Sequence, residues 1–438
     1  MPIPLSQAVV GKRMIRKSTC VNCWHEFSPD EVLWISEHDS LLGEPRIGDY
    51  SKSKQRRFIG ERFDTVGKAI DAAGSPCTTL ACPRCLLSIP EDSIEITPLI
   101  FSILGSPGSG KSVLLAAMAH QLRLAGLRMG LGFADADPIL NKHLIEDEQR
   151  MFYQGVPEKW RDIKAIISKT ETIEARWRET QIDGGPARFV PPYTFRVAPA
   201  ESHPRAEKAA DLTTLICLYD NAGEHFSPGA RDAGMTLHLT RSQGMLYCFD
   251  PTSDIRVMAA LKKKNEAITQ RGAGERQDTV LAEAAARIRR DTRLGAREKI
   301  KKPIVMVLPK LDVWEGLLSE YMPNFRKRDL LANYPARGIR GLAEDAIEDI
   351  SNACKTMLRQ VCPDPLAAAE ALSEVVYCIP VSAVGANVRF ANGQYQVQDP
   401  IQPEWTEIPL LLLMKLGEDN DRTKPYPRGL VPVLRPAR

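Results

Sequence analysis

An eight-residue segment with the sequence GSPGSGKS has the residue types and spacing of a phosphate-binding loop. It runs from Gly105 to Ser112, fits the pattern G-x-x-x-x-G-K-[ST] and directly follows an apolar run. In such a loop the backbone N–H groups surround phosphate oxygens, the lysine reaches the β and γ phosphates, and the hydroxyl binds Mg²⁺. The segment predicts a nucleoside triphosphate site, the alternative being a glycine-rich turn with an exposed lysine. The residues expected to contact nucleotide are Gly105, Gly108, Ser109, Gly110, Lys111, Ser112 and Val113, with Ser112 also binding Mg²⁺.

Four cysteines have the spacing of zinc ligands. They form two CxxC pairs, Cys20 with Cys23 and Cys82 with Cys85. A tight CxxC turn directs two thiolates at one ion, and two such turns complete a tetrahedral, structural zinc site. The chain between the pairs is longer than the usual spacing of roughly 15–20 residues, so we expect an inserted arm over residues 36–73. Other ligands nearby are Cys77, His25 and His38, and unrelated surface thiols or a redox-active pair are the alternative interpretations.

Length and composition indicate an ordinary globular protein of two or three domains. The chain has 438 residues, of which 43% are hydrophobic and 26% charged, with a net charge of +3. The longest apolar run, residues 408–414, is too short to cross a bilayer and predicts a buried helix. The amino-terminal sequence lacks the features of a signal peptide, so we expect a cytoplasmic protein with no membrane contact. The predicted organisation is a zinc-ribbon-like four-cysteine module with its inserted arm (1–94), a nucleotide-binding domain (95–418) with helical insertions (about 136–190 and 255–302), and a tail (419–438).

Beyond the loop, an apolar strand predicted at residues 212–219 ends in the sequence DNAG. Asp220 at this point can hold Mg²⁺ through its water shell, and Gly223 can offer its backbone N–H to a γ-phosphate. Glu224 and His225 follow, where a side chain that positions the attacking water is expected. The element therefore predicts a sensor of the terminal phosphate, and these two residues join Lys111 as catalytic candidates.

Two later apolar strands end in motifs that are typical of a guanine site. The strand IVMVL leads into Lys310 and Asp312, which resemble the [NT]KxD motif, whose aspartate accepts hydrogen bonds from two donors of guanine. The strand VVYCIPV leads into Ser382 and Ala383, like the loop whose backbone contacts the guanine oxygen. Each motif is weak alone. All of them, however, lie at the carboxyl ends of apolar strands, where a doubly wound sheet places its ligands.

With these motifs in this order, the chain resembles a Ras-like P-loop GTPase. More narrowly, it is similar to the bacterial double-GTPase family of conflict systems, whose members can carry a zinc-ribbon module before the GTPase domain. The resemblance covers roughly residues 15–416. It implies an α/β fold, a P-loop NTPase three-layer sandwich with a mostly parallel sheet behind a small zinc-binding module. It also implies GTP or GDP, Mg²⁺ and Zn²⁺ as ligands, and a switch that controls a second GTPase, an adaptor or an effector in antiviral defence.

Three positions depart from the pattern of that family. Pro309 stands where asparagine or threonine usually braces the phosphate loop, and Pro107 occupies a position in the loop that is usually flexible. Glu224 is an anion at the place of the Ras glutamine, which orients the attacking water through a neutral amide. We therefore expect slow intrinsic hydrolysis of GTP.

Other interpretations stay open at this stage. A P-loop ATPase that drives remodelling, or a zinc-dependent scaffold with a structural nucleotide, would use the same loop. Thr194 is a candidate for the first switch, although a purely structural hydroxyl is the alternative. The basic residues of the second insertion predict a solvated helix face or, alternatively, a surface for an acidic partner or nucleic acid; they are Lys262, Lys263, Lys264, Arg287, Arg289, Arg290 and Arg293.

Overall fold

The computed structural model describes ten stretches of the chain. They are residues 14–47, 54–167, 177–220, 237–263, 277–295, 297–333, 338–385, 388–391, 394–420 and 428–434.

Six short strands build the amino-terminal module. They are β1 Ser18–Thr19, β2 Glu26–Phe27, β3 Leu33–Ile35, β4 Arg57–Ile59, β5 Leu80–Ala81 and β6 Ser88–Ile89. Strands β1 and β2 form one antiparallel hairpin, and the other four form an antiparallel sheet in the order β4-β3-β5-β6. Each CxxC pair lies in the loop of a hairpin, the first between β1 and β2 and the second between β5 and β6. The predicted arm contributes β4 to the sheet of this module.

The rest of the described chain alternates strands and helices. The strands are β7 Pro98–Gly105, β8 Leu131–Asp135, β9 Trp160–Asp162, β10 Arg178–Ile182, β11 Gly185–Phe189, β12 Tyr193–Pro199, β13 Thr214–Asp220, β14 Gly244–Cys248, β15 Ile304–Leu308, β16 Leu331–Asn333, β17 Arg340–Ala343, β18 Val376–Pro380, β19 Val388–Ala391, β20 Gln394–Gln398 and β21 Val433–Leu434. The α-helices are α1 Lys111–Met129, α2 Lys142–Glu148, α3 Ile163–Ile166, α4 Ala209–Leu212, α5 Leu237–Arg241, α6 Ile255–Lys262, α7 Asp278–Thr292, α8 Leu311–Tyr321, α9 Glu344–Val361, α10 Pro363–Leu372 and α11 Ile408–Asn420. Short 3-10 turns lie at Pro29–Glu31, Glu91–Ile94, Ala206–Lys208, Pro251–Ser253 and Phe325–Lys327, and a π-helix at Gln149–Tyr153 follows α2.

A seven-stranded sheet forms the centre of the fold, in the order β18-β15-β14-β7-β13-β12-β8. Strand β12 is antiparallel to both of its neighbours, and the other six strands share one direction. Strands β7, β14 and β15 are buried along their whole length, as expected for apolar runs covered on both faces. The predicted α/β fold with a mostly parallel sheet is confirmed.

The strand order places a topological switch point beside β7. This strand lies between β13 on one side and β14 on the other, and the chain leaves it through the glycine-rich loop 105–112 into α1. In open α/β sheets, ligands bind at the carboxyl ends of the strands next to such a point. The same edge of the sheet carries the ends of β13, β15 and β18, where the other motifs follow.

The amino-terminal module packs against one face of this sheet. Successive residues of a strand face opposite sides, and Leu215, Cys217 and Tyr219 of β13 belong to one hydrophobic cluster with the buried residues of the module. The intervening Ile216 and Leu218 belong to the main core. The predicted division near residue 94 therefore falls between two parts that share a hydrophobic cluster.

The first predicted insertion is only partly helical. Residues 136–190 contain α2 and α3, but they also contain β9 and the β10–β11 hairpin, so the expectation of helices was wrong for residues 178–189. A two-residue Asp183-Gly184 loop closes the hairpin, with positive φ at both positions (52° and 80°), which is the turn that favours adjacent antiparallel strands. The second insertion contains α6 and α7, and residues 408–414 form the buried helix that was predicted. Among the described helices, none is both long enough and apolar enough to cross a membrane.

Candidate nucleotide site and four-cysteine centre

The four predicted zinc ligands converge on one point. The sulfurs of Cys20, Cys23, Cys82 and Cys85 all lie within 4.8 Å of one another. The Cys20–Cys85 and Cys23–Cys82 sulfur distances are both 3.7 Å. A tetrahedral zinc ion with Zn–S bonds of about 2.3 Å places its sulfurs about 3.8 Å apart, so these distances fit that ion.

The two CxxC turns have the same local geometry. Trp24 and Leu86, which directly follow the second cysteine of each pair, both have positive φ, 62° and 63°. Each donates its backbone N–H to the carbonyl of the first cysteine of its pair. Backbone N–H groups also point at sulfur, from Asn22 and Cys23 to Cys20 Sγ at 3.3 and 3.4 Å. These donors stabilise thiolate, the form of cysteine that binds metal.

The alternative ligands lie outside this cluster. Burial raises the pKa of the Cys77 thiol to about 11, and its sulfur lies 3.9 Å from Asp71 Oδ2. The His38 ring bonds to the Ser40 hydroxyl at 2.7 Å, and His25 stacks on Phe27. Among the described residues, the four predicted cysteines are the group of side chains arranged to hold a metal ion.

The module contacts the sheet close to the predicted phosphate sensor. The Tyr219 hydroxyl donates to the Val21 carbonyl, inside the first CxxC turn. The Tyr219 ring lies between Trp24, at 5.3 Å between centroids, and His238, at 4.9 Å and nearly parallel. The β10–β11 hairpin contacts the second turn, where the Thr180 hydroxyl donates to the Cys85 carbonyl at 2.7 Å.

The glycine-rich loop between β7 and α1 uses backbone conformations that glycine adopts readily. Gly108 and Gly110 have φ of +75° and +91°, which side chains rarely adopt, and Gly110 caps α1 without any side-chain bond to the helix amino terminus. The Lys111 ammonium folds back on the loop and donates to the carbonyls of Gly105 at 2.6 Å and Ser106 at 3.4 Å. A helix amino terminus with uncapped N–H groups, beside a lysine, favours an anion.

The buried thiol of Cys248 is within electrostatic reach of both Lys111 and Asp220. Burial raises the pKa of Cys248, at the end of β14, to about 12, and Lys111 lowers it whereas Asp220 raises it. Asp220 ends β13, opposite Ile103 of β7. The structure thus brings the two predicted phosphate and Mg²⁺ residues to adjacent strand ends, and Ser112 lies in the first turn of α1.

The predicted base-binding residues also come together. The Ser382 hydroxyl donates to Asp312 Oδ1 at 2.5 Å and accepts from the backbone N–H of Gly385 at 2.9 Å. Burial raises the pKa of Asp312, and the Ser382 bond opposes this shift. Ala383 packs against the core beside them. A carboxylate held at a strand end by a serine can accept hydrogen bonds from a planar base.

Two residues that the sequence analysis did not select connect the strand ends to the loop. Asp250 follows β14, and its buried carboxylate pairs with the Lys310 ammonium. Lys310 itself has a φ of 61°, and its stem lies 3.9 Å from where a Cβ on Gly110 would be. Gln277, directly before α7, bonds to both the N–H and the carbonyl of Asp250. Asp250 ends an apolar strand, which was a usable signal, whereas nothing in the sequence marks Gln277.

Three predicted site residues, Gly223, Glu224 and His225, lie outside the described residues, as does Lys264. Thr194 is described, and the structure places it in β12 with a buried side chain and with its backbone bonded to Asn141.

Three of the described basic residues of the second insertion have local contacts. Arg287 is buried and pairs with Glu283, Arg289 bonds to two carbonyls, and Arg290 pairs with Asp291. These contacts favour the solvated, structural interpretation of this helix over a nucleic-acid surface.

No protein-family model and no curated protein matches the chain.

Proposed function

We propose that the chain is a guanine-nucleotide switch, a GTPase of the Ras-like P-loop class with a structural zinc module. The observation that carries this proposal is the arrangement at the carboxyl edge of the sheet. Lys111 follows β7 and Asp220 ends the adjacent β13, beside the switch point, and the bonded pair Asp312 and Ser382 follows β15 and β18 of the same sheet. This arrangement supports the proposal, because one nucleotide could reach the phosphate candidates after β7 and β13 and the base candidates after β15 and β18 along the same edge.

Each group has a defined role in this proposal. The loop N–H groups and the Lys111 ammonium bind phosphate oxygens, and Ser112 and Asp220 hold Mg²⁺, which would neutralise charge on the phosphates. The Asp312 carboxylate accepts from the guanine ring, next to Ser382 and Ala383. Glu224 and His225 are the proposed groups for positioning water, and hydrolysis would be slow without a partner.

The direct test is nucleotide binding by the purified full-length protein with Mg²⁺. Fluorescent GTP, ATP and xanthosine triphosphate analogues are titrated into wild type, Lys111→Ala and Asp312→Asn. The proposal predicts tight GTP binding that Lys111→Ala removes, and a change of preference from guanine to xanthine in Asp312→Asn. Equal or preferential binding of ATP would replace it with the remodelling ATPase. Lys111-dependent binding without any turnover would favour the scaffold with a structural nucleotide.

The four-cysteine module is proposed to hold Zn²⁺ as a structural ion and to present a surface to a protein partner. Support for the metal comes from the sulfur distances and the closed, buried site. The partners, a second GTPase, an adaptor or an effector in an antiviral conflict system, rest on the resemblance alone. Copurification of a neighbouring gene product that depends on GTP would test that part.

A further inference from the structure

Gln277 holds the end of β14 by both of its amide atoms. Its Oε1 accepts from the Asp250 backbone N–H at 2.9 Å, and its Nε2 donates to the Asp250 carbonyl at 2.8 Å. Gln277 is 6% exposed and Asp250 is fully buried. Two bonds from one amide side chain to the N–H and the carbonyl of one residue fix the backbone on both sides of its Cα, since neither can be replaced by water in a buried site.

Asp250, the residue fixed in this way, carries the carboxylate that holds Lys310. Asp250 accepts from Thr252 N and Oγ1, from Ser253 Oγ and from the Lys310 ammonium. A buried carboxylate is tolerated only when its oxygens are paired in this manner. The Lys310 Cε lies 3.9 Å from where a Cβ on Gly110 would be, so the position of Asp250 sets that of a side chain next to one end of the glycine-rich loop.

Gln277 also contacts the other end of the same loop. The Ser106 hydroxyl donates to Gln277 Oε1 at 3.4 Å, a longer and weaker bond than the two to Asp250. The residue before Lys310, Pro309, has neither an N–H nor a polar side chain with which to support the loop, and its carbonyl is bonded to Trp314 Nε1. Support for the loop from this side therefore comes through Lys310 and Gln277.

We propose that Gln277 is a positioning residue for the nucleotide site, which through Asp250 keeps Lys310 against the glycine-rich loop. This inference rests on the proposed function, because it assigns Gln277 to the binding of the nucleotide phosphates. It gives the second insertion a role, since Gln277 directly precedes α7 of that insertion.

The test is a double-mutant cycle in the full-length protein, read as the Kd for fluorescent GDP and GTP. Gln277→Met keeps the length of the side chain and removes all three polar contacts of the amide, and we expect Kd to rise about tenfold. In a Lys310→Met background the same change should add less than about twofold, because its effect passes through Lys310. If the two substitutions raise Kd independently, so that their factors multiply, the proposal is overturned. A Gln277→Met protein with the wild-type Kd would overturn it too.

A matched control separates positioning from general stability. Tyr247→Phe removes the hydroxyl that donates to the main-chain carbonyl of Gln277 at 2.9 Å, and leaves the amide in place. It should lower the melting temperature without changing Kd; an equal rise in Kd would overturn the proposal. If Gln277→Met does not fold, Gln277→Asn keeps an uncharged amide but is one carbon too short to reach both backbone atoms of Asp250, and it should also raise Kd. Failure of wild type to bind GTP would overturn the proposed function as well. GTP binding that depends on Lys111, with the same Kd in Gln277→Met as in wild type, would overturn this inference alone.

Discussion

Replacing Tyr219 by phenylalanine tests how firmly the four-cysteine module is attached to the central sheet. The ring is 1% exposed and is held between Trp24 and His238. Its hydroxyl donates to the Val21 carbonyl within the first CxxC turn, and Val21 is itself 2% exposed. Phenylalanine keeps the ring contacts and removes the donor, so the change isolates one hydrogen bond between the module and β13.

The expected loss follows from the burial of both groups. Leaving a buried carbonyl without its donor costs about 1–3 kcal/mol. If the module unfolds as a unit with an m-value of about 2 kcal/mol/M in urea, a loss of about 2 kcal/mol lowers its midpoint by about 1 M. A chain of this length with a bound metal need not unfold in one step, so the measurement should report on the module itself. Release of zinc to a chromogenic chelator, followed against urea concentration, does so.

Tyr321→Phe is the matched control for this experiment. It makes the same chemical change at an exposed hydroxyl that bonds to Gln360 Oε1 at 3.0 Å, and its effect should stay within about 0.5 kcal/mol. If wild type, Tyr219→Phe and Tyr321→Phe all release zinc at the same urea concentration, the reasoning is refuted, because Tyr219 then does not attach the module.

Three further predictions concern single side chains. Burial raises the pKa of Asp312, so its ionisation destabilises the folded protein increasingly as pH rises above about 4. Asp312→Asn should therefore melt at the wild-type temperature or slightly higher, and its stability measured by calorimetry should fall less with rising pH. A clearly lower melting temperature would contradict this. Cys85→Ser should lose bound zinc by elemental analysis whereas Cys77→Ser should keep it, and retention of zinc by both would exclude the proposed ligand set. Gly105→Ala places a Cβ 2.9 Å from atoms of β14 and should cost about 1–3 kcal/mol in chemical denaturation, more than Gly316→Ala in α8, whose Cβ meets nothing within 4 Å; the reverse order would contradict the packing.

Much of the sheet could be predicted because buried parallel strands are apolar throughout. The runs that end at Gly105, Asp220, Leu308 and Pro380 are visible as predominantly hydrophobic segments, and the structure places them in one sheet. Their order in the sheet could not be read from them, since each run would fit any central position. The convergence of the two CxxC pairs was also predictable, because a thiolate pair needs a partner pair to complete a tetrahedral site.

The missed features depend on contacts between distant segments. The β10–β11 hairpin carried a usable signal in its Asp183-Gly184 turn, which the helical interpretation of residues 136–190 overlooked. Gln277 carried none, because a glutamine before a helix is ordinary in sequence. Its role depends on its hydrogen bond to the backbone of Asp250, which lies 27 residues earlier in the chain. Polar contacts of this kind have no period and no fixed spacing, so only the folded chain shows them.

The boundary predicted near residue 94 separates segments of sequence without separating their cores. Strand β13 presents Leu215, Cys217 and Tyr219 to the module and ends in Asp220, one residue after the tyrosine that bonds to the first CxxC turn. A chain that began at residue 95 would expose this apolar face of the sheet, and large uncovered apolar patches promote aggregation. It would also free the strand end that carries the proposed Mg²⁺ ligand. A loss of nucleotide binding on truncation would therefore not show that the module touches nucleotide, and point variants at Tyr219 and Gln277 are the more informative changes.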